Sequence, residues 1–315
     1  MSTFIDLLRQ HHDEFERQFG NQLSHDSRRA IYAMLSCKTG NQGCSQWVCR
    51  QCQQRTTSDW LMRQQSKLLP VHYFMVTFTL PSELRPLACS QPKALYQSMF
   101  SVAASILKDF ARRKHGGEIG FTTVLHTHSR QRNLHPHLHI IVASGSYNKT
   151  RNQWHKGKRN YLFNAFALAN TDTLPTKWVV DCRKVGYGLP ALQYLSRYLY
   201  RGVLPDKDII DTSHNSVIFK YKDGQTQTTK TRALPTLQFI WLILQHVLPK
   251  GLQRVRDYGL LHGNAKRLRV RIQAILLHLF NWKMPLLTAT TECRTIRTCP
   301  CCHHEMRCVG ITQTT

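Results

Sequence analysis

The sequence predicts an α+β fold rather than a doubly wound one, and three observations carry that expectation. Short runs dense in Val, Ile, Phe, Tyr and Thr recur between residues 72 and 143, as buried or half-buried strands require. Segments with apolar residues at helical spacing lie between and around them. The pair Asp223-Gly224 separates two more strand-like runs, a hairpin signal. About five or six strands with interposed helices follow.

Residues 1–36 read as helical, with Phe4, Leu7 and Leu8 and later Ala30, Tyr32, Met34 and Leu35 at helical spacing. A cysteine-rich knuckle comes next, then a short helix from Trp60 to Leu68 that ends before Pro70. His72 to Leu80 is a strand stopped by Pro81, and Ala94 to Arg113 an amphipathic helix closing in a basic turn near Gly116-Gly117. Gly120 to His128, His135 to Ala143 and Lys177 to Lys184 are the next strands, with Asn148 to Pro175 read as an insertion of helix and loop. After Gly186 and Gly188 a helix runs from Pro190 to Tyr200; Val217 to Lys222 and Gln225 to Ala233 pair as a hairpin. Pro235 to Val247 is an apolar helix, Lys250 to Arg271 a basic segment and Ile272 to Trp282 a last helix. The expected division is a helical and cysteine-rich region over 1–69, a central domain over 70–234 and a basic helical region over 235–315.

The 315 residues carry 43 Lys+Arg against 18 Asp+Glu, a formal charge of +25 and a pI near 10.0, with 42% hydrophobic residues. There is enough apolar content for a core and far more positive charge than a metabolic enzyme needs, so a polyanion is the expected partner. The excess recurs at Arg112-Arg113-Lys114, from Lys156 to Arg159 and from Lys266 to Arg271, interleaved with aromatics as in a nucleic-acid footprint. No stretch reaches the roughly 18 to 20 apolar residues of a membrane helix, and Met1 to Gln18 lacks a signal-peptide core. A cytoplasmic protein is expected, so its 11 cysteines should be reduced. They cluster at Cys37, Cys44, Cys49 and Cys52 and again at Cys293, Cys299, Cys301, Cys302 and Cys308, as metal ligands would.

Two motifs carry chemistry. In Leu134-His135-Pro136-His137-Leu138-His139-Ile140-Ile141-Val142, strand alternation puts His137 and His139 on one face, half of a metal site. His126 is the first candidate for a third ligand, because its strand carries it on the parity of Val124 and His128; His135, before Pro136 at the strand's edge, is the second. In Tyr194-Leu195-Ser196-Arg197-Tyr198-Leu199-Tyr200-Arg201, Tyr194 and Tyr198 share one helical face, with Leu192, Leu195 and Leu199 as the buried stripe. Tyr200 falls on another face, while Arg197 and Arg201 are candidates for phosphate contacts. Phenol attack on a DNA phosphate would leave a phosphotyrosine and a free hydroxyl and keep the bond energy for rejoining. A divalent ion on the histidines would act as Lewis acid and template.

These two motifs, together with the run from Leu68 to Pro81, Leu248-Pro249-Lys250-Gly251 and Arg256-Asp257-Tyr258-Gly259-Leu260-Leu261, resemble the two-tyrosine rolling-circle transposases of bacterial insertion sequences, members of the HUH endonucleases. The likeness covers nearly the whole chain. It implies a palm-like antiparallel sheet with the histidine pair on a central strand, flanked by helices. It also implies Tyr194 and Tyr198 as nucleophiles acting in turn, Mg²⁺ or Mn²⁺ on His137 and His139, and single-stranded DNA at the element's ends as substrate. A replication initiator or plasmid relaxase shares the chemistry, and a non-catalytic zinc-dependent DNA-binding relic is the reading from another class.

Cys49-Arg50-Gln51-Cys52 is a zinc knuckle that Cys37 and Cys44 could complete. The family carries a further cysteine pair ahead of the tryptophan helix; here the chain passes from Cys52 straight to Gln53 and on to Trp60, as though shortened. At the other end Cys299 and Cys302 form the natural knuckle, with Cys308, Cys293 or His303 as completions. An end-recognition role for such regions is implied by the resemblance. The oligomeric state is not legible in the sequence.

Overall fold

The computed structural model describes residues 4–36, 60–157, 178–199, 203–224 and 226–280. Its strands are β1 (Tyr73–Thr79), β2 (Gly120–His128), β3 (Leu134–Ala143), β4 (Gly145–Asn148), β5 (Gln153–Lys156), β6 (Val179–Lys184), β7 (Ile209–Asp211), β8 (Ser216–Lys222), β9 (Thr229–Pro235) and β10 (Val255–Gly259). Five of them form one sheet in the order β10-β2-β3-β1-β6, every neighbouring pair antiparallel. The fold is α+β, with two smaller sheets, β4-β5 and β7-β8-β9.

β3 lies at the centre of this sheet because its second half, Ile140 to Ala143, is apolar on both sides and can bury both. On one face Leu138, Ile140 and Val142 line up with Phe78, Val76 and Phe74 of β1. That face packs under the long helix Pro92–His115 through Tyr96, Phe100, Ala103 and Leu107, spaced as a helical stripe demands. Pro92 opens this helix and Gly116, in the left-handed region, closes it. On the other face Tyr73, Val124, Ile141 and Ala143 pack against Ala191, Leu192 and Leu195 of helix Leu189–Leu199 and Ile272 and Leu276 of helix Lys266–Phe280. Each fully buried large side chain contributes about 1.5–3 kcal/mol, so two covered faces fix the register firmly.

The basic segment expected from Lys250 to Arg271 is not a single basic stretch: it contains β10, the edge strand beside β2, and the start of the last helix, at Lys266 rather than Ile272. The charged side chains of β10 find partners across the sheet. The Arg256 guanidinium lies 4.1 Å from the centre of the Phe100 ring, Tyr258 stacks on Phe121, and Asp257 accepts from Lys67 Nζ at 2.6 Å, Thr122 Oγ1 at 2.6 Å and Gln64 Nε2 at 3.1 Å. These bonds hold the helical turns over 60–65 against the sheet. Gly259 has φ +55, and a Cβ there would collide with the Ile119 carbonyl, so only glycine ends this strand without strain.

Two other local expectations change. The hairpin does not turn on Asp223-Gly224 alone: Lys222 pairs with Thr229, so the connection spans 223–228, and Asp223 Oδ1 accepts from the Thr226 amide and hydroxyl. The aspartate organises a longer loop through its own carboxylate instead of entering a two-residue turn. The stretch expected as helix and loop opens instead with β5, which pairs with the preceding β4 as a hairpin; residues 158–177 lie outside the described residues.

The N-terminal helices Phe4–Gln10, His12–Phe19 and His25–Leu35 pack on helix Thr236–Leu244, with Leu8, Phe15, Ile31, Leu237, Ile240 and Leu244 sharing one core. Leu7, Phe219 and Phe239 extend it to the β7-β8-β9 sheet.

Candidate active site

Antiparallel register assembles the site. His137 and His139 leave β3 on the face opposite Leu138 and Ile140, His126 of β2 pairs directly with His137, and Thr77 of β1 pairs directly with His139. The ligand nitrogens of His126, His137 and His139 lie within 4.8 Å of one another. Their ring centres are 5.1 Å (His126 to His137), 4.6 Å (His126 to His139) and 4.8 Å (His137 to His139) apart, with the rings close to perpendicular. His135 stands just outside this set, its ring 5.3 Å from that of His137.

Hydrogen bonds orient two of the imidazoles. His137 Nδ1 donates to the His135 carbonyl at 2.7 Å, which leaves Nε2 with its lone pair. His139 Nδ1 and Thr77 Oγ1 share a bond of 3.0 Å. Burial pushes the rings toward the neutral form: His139 falls to about 3, helped by His137, and His137 to about 4 against the opposing effect of its bond to the His135 carbonyl. His126 falls well below the ordinary histidine range, through burial first and then His139 and His137. At neutral pH the site therefore offers three uncharged imidazoles, the form that binds a cation.

The helix Leu189–Leu199, which carries Tyr194 and Tyr198, lies on the same face of the sheet. Its approach needs Gly188, with φ +86, whose missing side chain lets the backbone lie against the Tyr73 ring. Leu192 and Leu195 are buried and Leu199 packs beside them, as the helical spacing requires, which turns Tyr194 toward the histidines. The Tyr194 ring centre is 6.3 Å from that of His139, and the side chain stays 38% exposed, open to a macromolecular substrate. Tyr198 and Arg197 belong to the same helix, but their side chains lie outside the described residues, as do Tyr200 and Arg201. So do Cys37, Cys44, Cys49, Cys52, Cys293, Cys299, Cys302, His303 and Cys308.

Thr77, His128, His246 and Arg254 also surround the site. His246 Nε2 donates to the Arg132 carbonyl at 2.8 Å, its ring lies 5.3 Å from that of His128, and burial lowers the pKa to about 4 and about 3 respectively. His128 shares the parity of His126, a signal present in the sequence. Thr77, His246 and Arg254 carry no local signal, because only strand register and long-range packing bring them here.

The comparisons with known proteins define the class. Residues 120–174 and 165–269 match the family model described as "Putative transposase", a span that includes His126, His137, His139, Tyr194 and Tyr198. Residues 41–80 match a transposase zinc-binding domain, a span that includes Cys44, Cys49 and Cys52 but begins after Cys37. The chain is a transposase, and DNA is its partner. These matches support its resemblance to the rolling-circle transposases of insertion sequences.

Among its relatives is the "Putative transposase y4qJ" of Sinorhizobium fredii, 27% identical over 372 residues that cover 95% of this chain and 92% of the relative. That span exceeds the 315 residues present here, so the relative carries segments this chain lacks. The transposase for insertion sequence element IS801 of Pseudomonas savastanoi pv. phaseolicola is 25% identical over 248 residues, covering 68% of this chain and 60% of the relative. No solved structure matches the chain. The zinc-binding domain match supports zinc as a cofactor. None of the described helices is long and apolar enough to cross a membrane.

Proposed function

We propose that this transposase nicks and rejoins single-stranded DNA at the ends of its insertion sequence through Tyr194 and Tyr198. The observation that carries the reading is the cluster of His126, His137 and His139 with the exposed Tyr194 ring 6.3 Å from His139. The five-stranded antiparallel sheet with its histidine pair on the central strand supports an HUH palm. In the reaction the Tyr194 phenol gives up its proton as its oxygen bonds to phosphorus, and one phosphodiester P–O bond breaks. A phosphotyrosine forms and the leaving strand keeps a hydroxyl. Tyr198, one turn further along the same helix, repeats the step on a second phosphate, and attack by a free hydroxyl on a phosphotyrosine rejoins the strands.

The donor set fits a divalent cation: three neutral imidazoles converge, two of them held by bonds to Thr77 and the His135 carbonyl. An all-imidazole set suits Mn²⁺ better than Mg²⁺. When bound on His126, His137 and His139, the ion would polarise the scissile phosphate and offset its charge. Arg197 and Arg201 would contact phosphates on either side. Zinc would be held by Cys37, Cys44, Cys49 and Cys52 in the first cysteine region and by Cys299 and Cys302 in the last.

The Tyr194→Phe, Tyr198→Phe double variant tests the proposal. It should abolish cleavage of an oligonucleotide from the element's end while its affinity for that oligonucleotide stays within about twofold. Loss of affinity with the two hydroxyls would mean that the tyrosines serve binding by stacking.

A further inference from the structure

We propose that Arg254 is a positioning residue that ties the C-terminal end of the nucleophile helix to the histidine-bearing sheet and sets the reach of Tyr198 more than that of Tyr194. The inference rests on the tyrosine-nuclease reading above. Arg254 Nε donates to the Leu125 carbonyl at 3.0 Å, and a second guanidinium nitrogen donates to the Leu199 carbonyl at 3.4 Å. The first acceptor immediately precedes His126. The second belongs to the residue that ends helix Leu189–Leu199 and immediately follows Tyr198. The Leu125 amide in turn donates to the Arg254 carbonyl at 2.9 Å, so the arginine's own backbone is fixed to β2.

None of the ion pairs among the described residues involves Arg254, so the side chain is not there to neutralise a carboxylate. It occupies the place where a helix leaves carbonyls without intrahelical partners and where its dipole favours a cation. A guanidinium alone has a planar fork that reaches two carbonyls at once; an ammonium offers a point. The selectivity follows from distance along the helix. The Tyr194 end is clamped by Leu192 and Leu195, both buried in the sheet-facing core, whereas among the described residues the last turn is held by Arg254 and the partly buried Leu199.

The test uses the full chain with a labelled single-stranded oligonucleotide of the element's end and Mn²⁺. Covalent adducts are scored separately in Tyr198→Phe and Tyr194→Phe backgrounds, so each background reports one tyrosine. With Arg254→Met the Tyr198 adduct should form about tenfold more slowly and the Tyr194 adduct should change by less than about threefold, the scale on which a small misplacement acts. Arg254→Lys should recover part of the Tyr198 rate. Arg256→Met, which removes the arginine stacked over Phe100, controls for loss of a neighbouring arginine and should leave the ratio of the two rates unchanged.

An unfolded fraction lowers both adducts alike, so the ratio reads position rather than stability, and should Arg254→Met not fold, Arg254→Lys carries the same ratio test. Equal loss of both adducts, no change in either, or selective loss at Tyr194 would overturn the role of Arg254 alone. Failure of the unsubstituted protein to form either adduct would overturn the nuclease reading together with it.

Discussion

Acidification should unfold the histidine-bearing domain well before its carboxylates titrate. His126, His139 and His246 are only 5%, 9% and 6% exposed, and burial holds all three far below the ordinary value of 6.5, His139 at about 3 and His246 at about 4. A histidine with a depressed native pKa contributes stability that is complete above 6.5 and is lost as the pH falls toward the native value. In this window the unfolded chain takes up the proton and the native state does not. Between pH 6.5 and pH 5 His139 and His246 should each cost about 1.7 kcal/mol, together about 3 kcal/mol and a large part of a marginal domain's stability, and His126, shifted the same way, adds to the loss. His128 and His137, shifted in the same direction, deepen the loss. Urea unfolding of the metal-free protein at half-unit pH steps measures it. A midpoint that stays level from pH 6.5 to pH 5 would refute the claim that these imidazoles are buried in neutral form.

Three substitutions probe the scaffold and the ligand orientation. Asp257→Ala strands the half-buried Lys67 ammonium and leaves Gln64 and Thr122 short of an acceptor, and should cost about 2–3 kcal/mol in urea unfolding, part of which Lys67→Met restores. Gly259→Ala meets both a left-handed backbone and the Ile119 carbonyl; a loss of about 2–3 kcal/mol and faster amide exchange in β10 should follow. Thr77→Val keeps the shape but removes the bond to His139 Nδ1, so calorimetric titration should show Mn²⁺ affinity falling about tenfold with little change in thermal midpoint.

Local periodicity made part of this molecule legible. Alternation alone set His137 and His139 on one face of their strand, and the parity of His126 put it on the face that the structure pairs directly with His137. Helical spacing marked Leu192, Leu195 and Leu199 as the buried side and so oriented Tyr194. The segments misread were those whose local chemistry points one way while distant partners decide otherwise. Arg256-Asp257-Tyr258 has no apolar alternation and lies in a stretch whose composition reads only as a basic segment; it forms a strand because Phe100, Lys67, Thr122 and Phe121 satisfy its side chains. Asp223-Gly224 has the composition of a two-residue turn, yet Asp223 spends its carboxylate on Thr226 and Lys230 and opens a longer loop. Thr77 and His246 reach the site through strand order and tertiary packing, which no sequence window contains.

The measurement that tests the central claim most directly is incubation of the purified protein with a labelled single-stranded oligonucleotide from its own element's end in the presence of Mn²⁺, followed by denaturing electrophoresis. The account predicts a denaturant-resistant protein–DNA adduct that disappears with His137→Ala and in the Tyr194→Phe, Tyr198→Phe double variant. An oligonucleotide that binds the protein but yields no adduct, or an adduct that survives both changes, would contradict it.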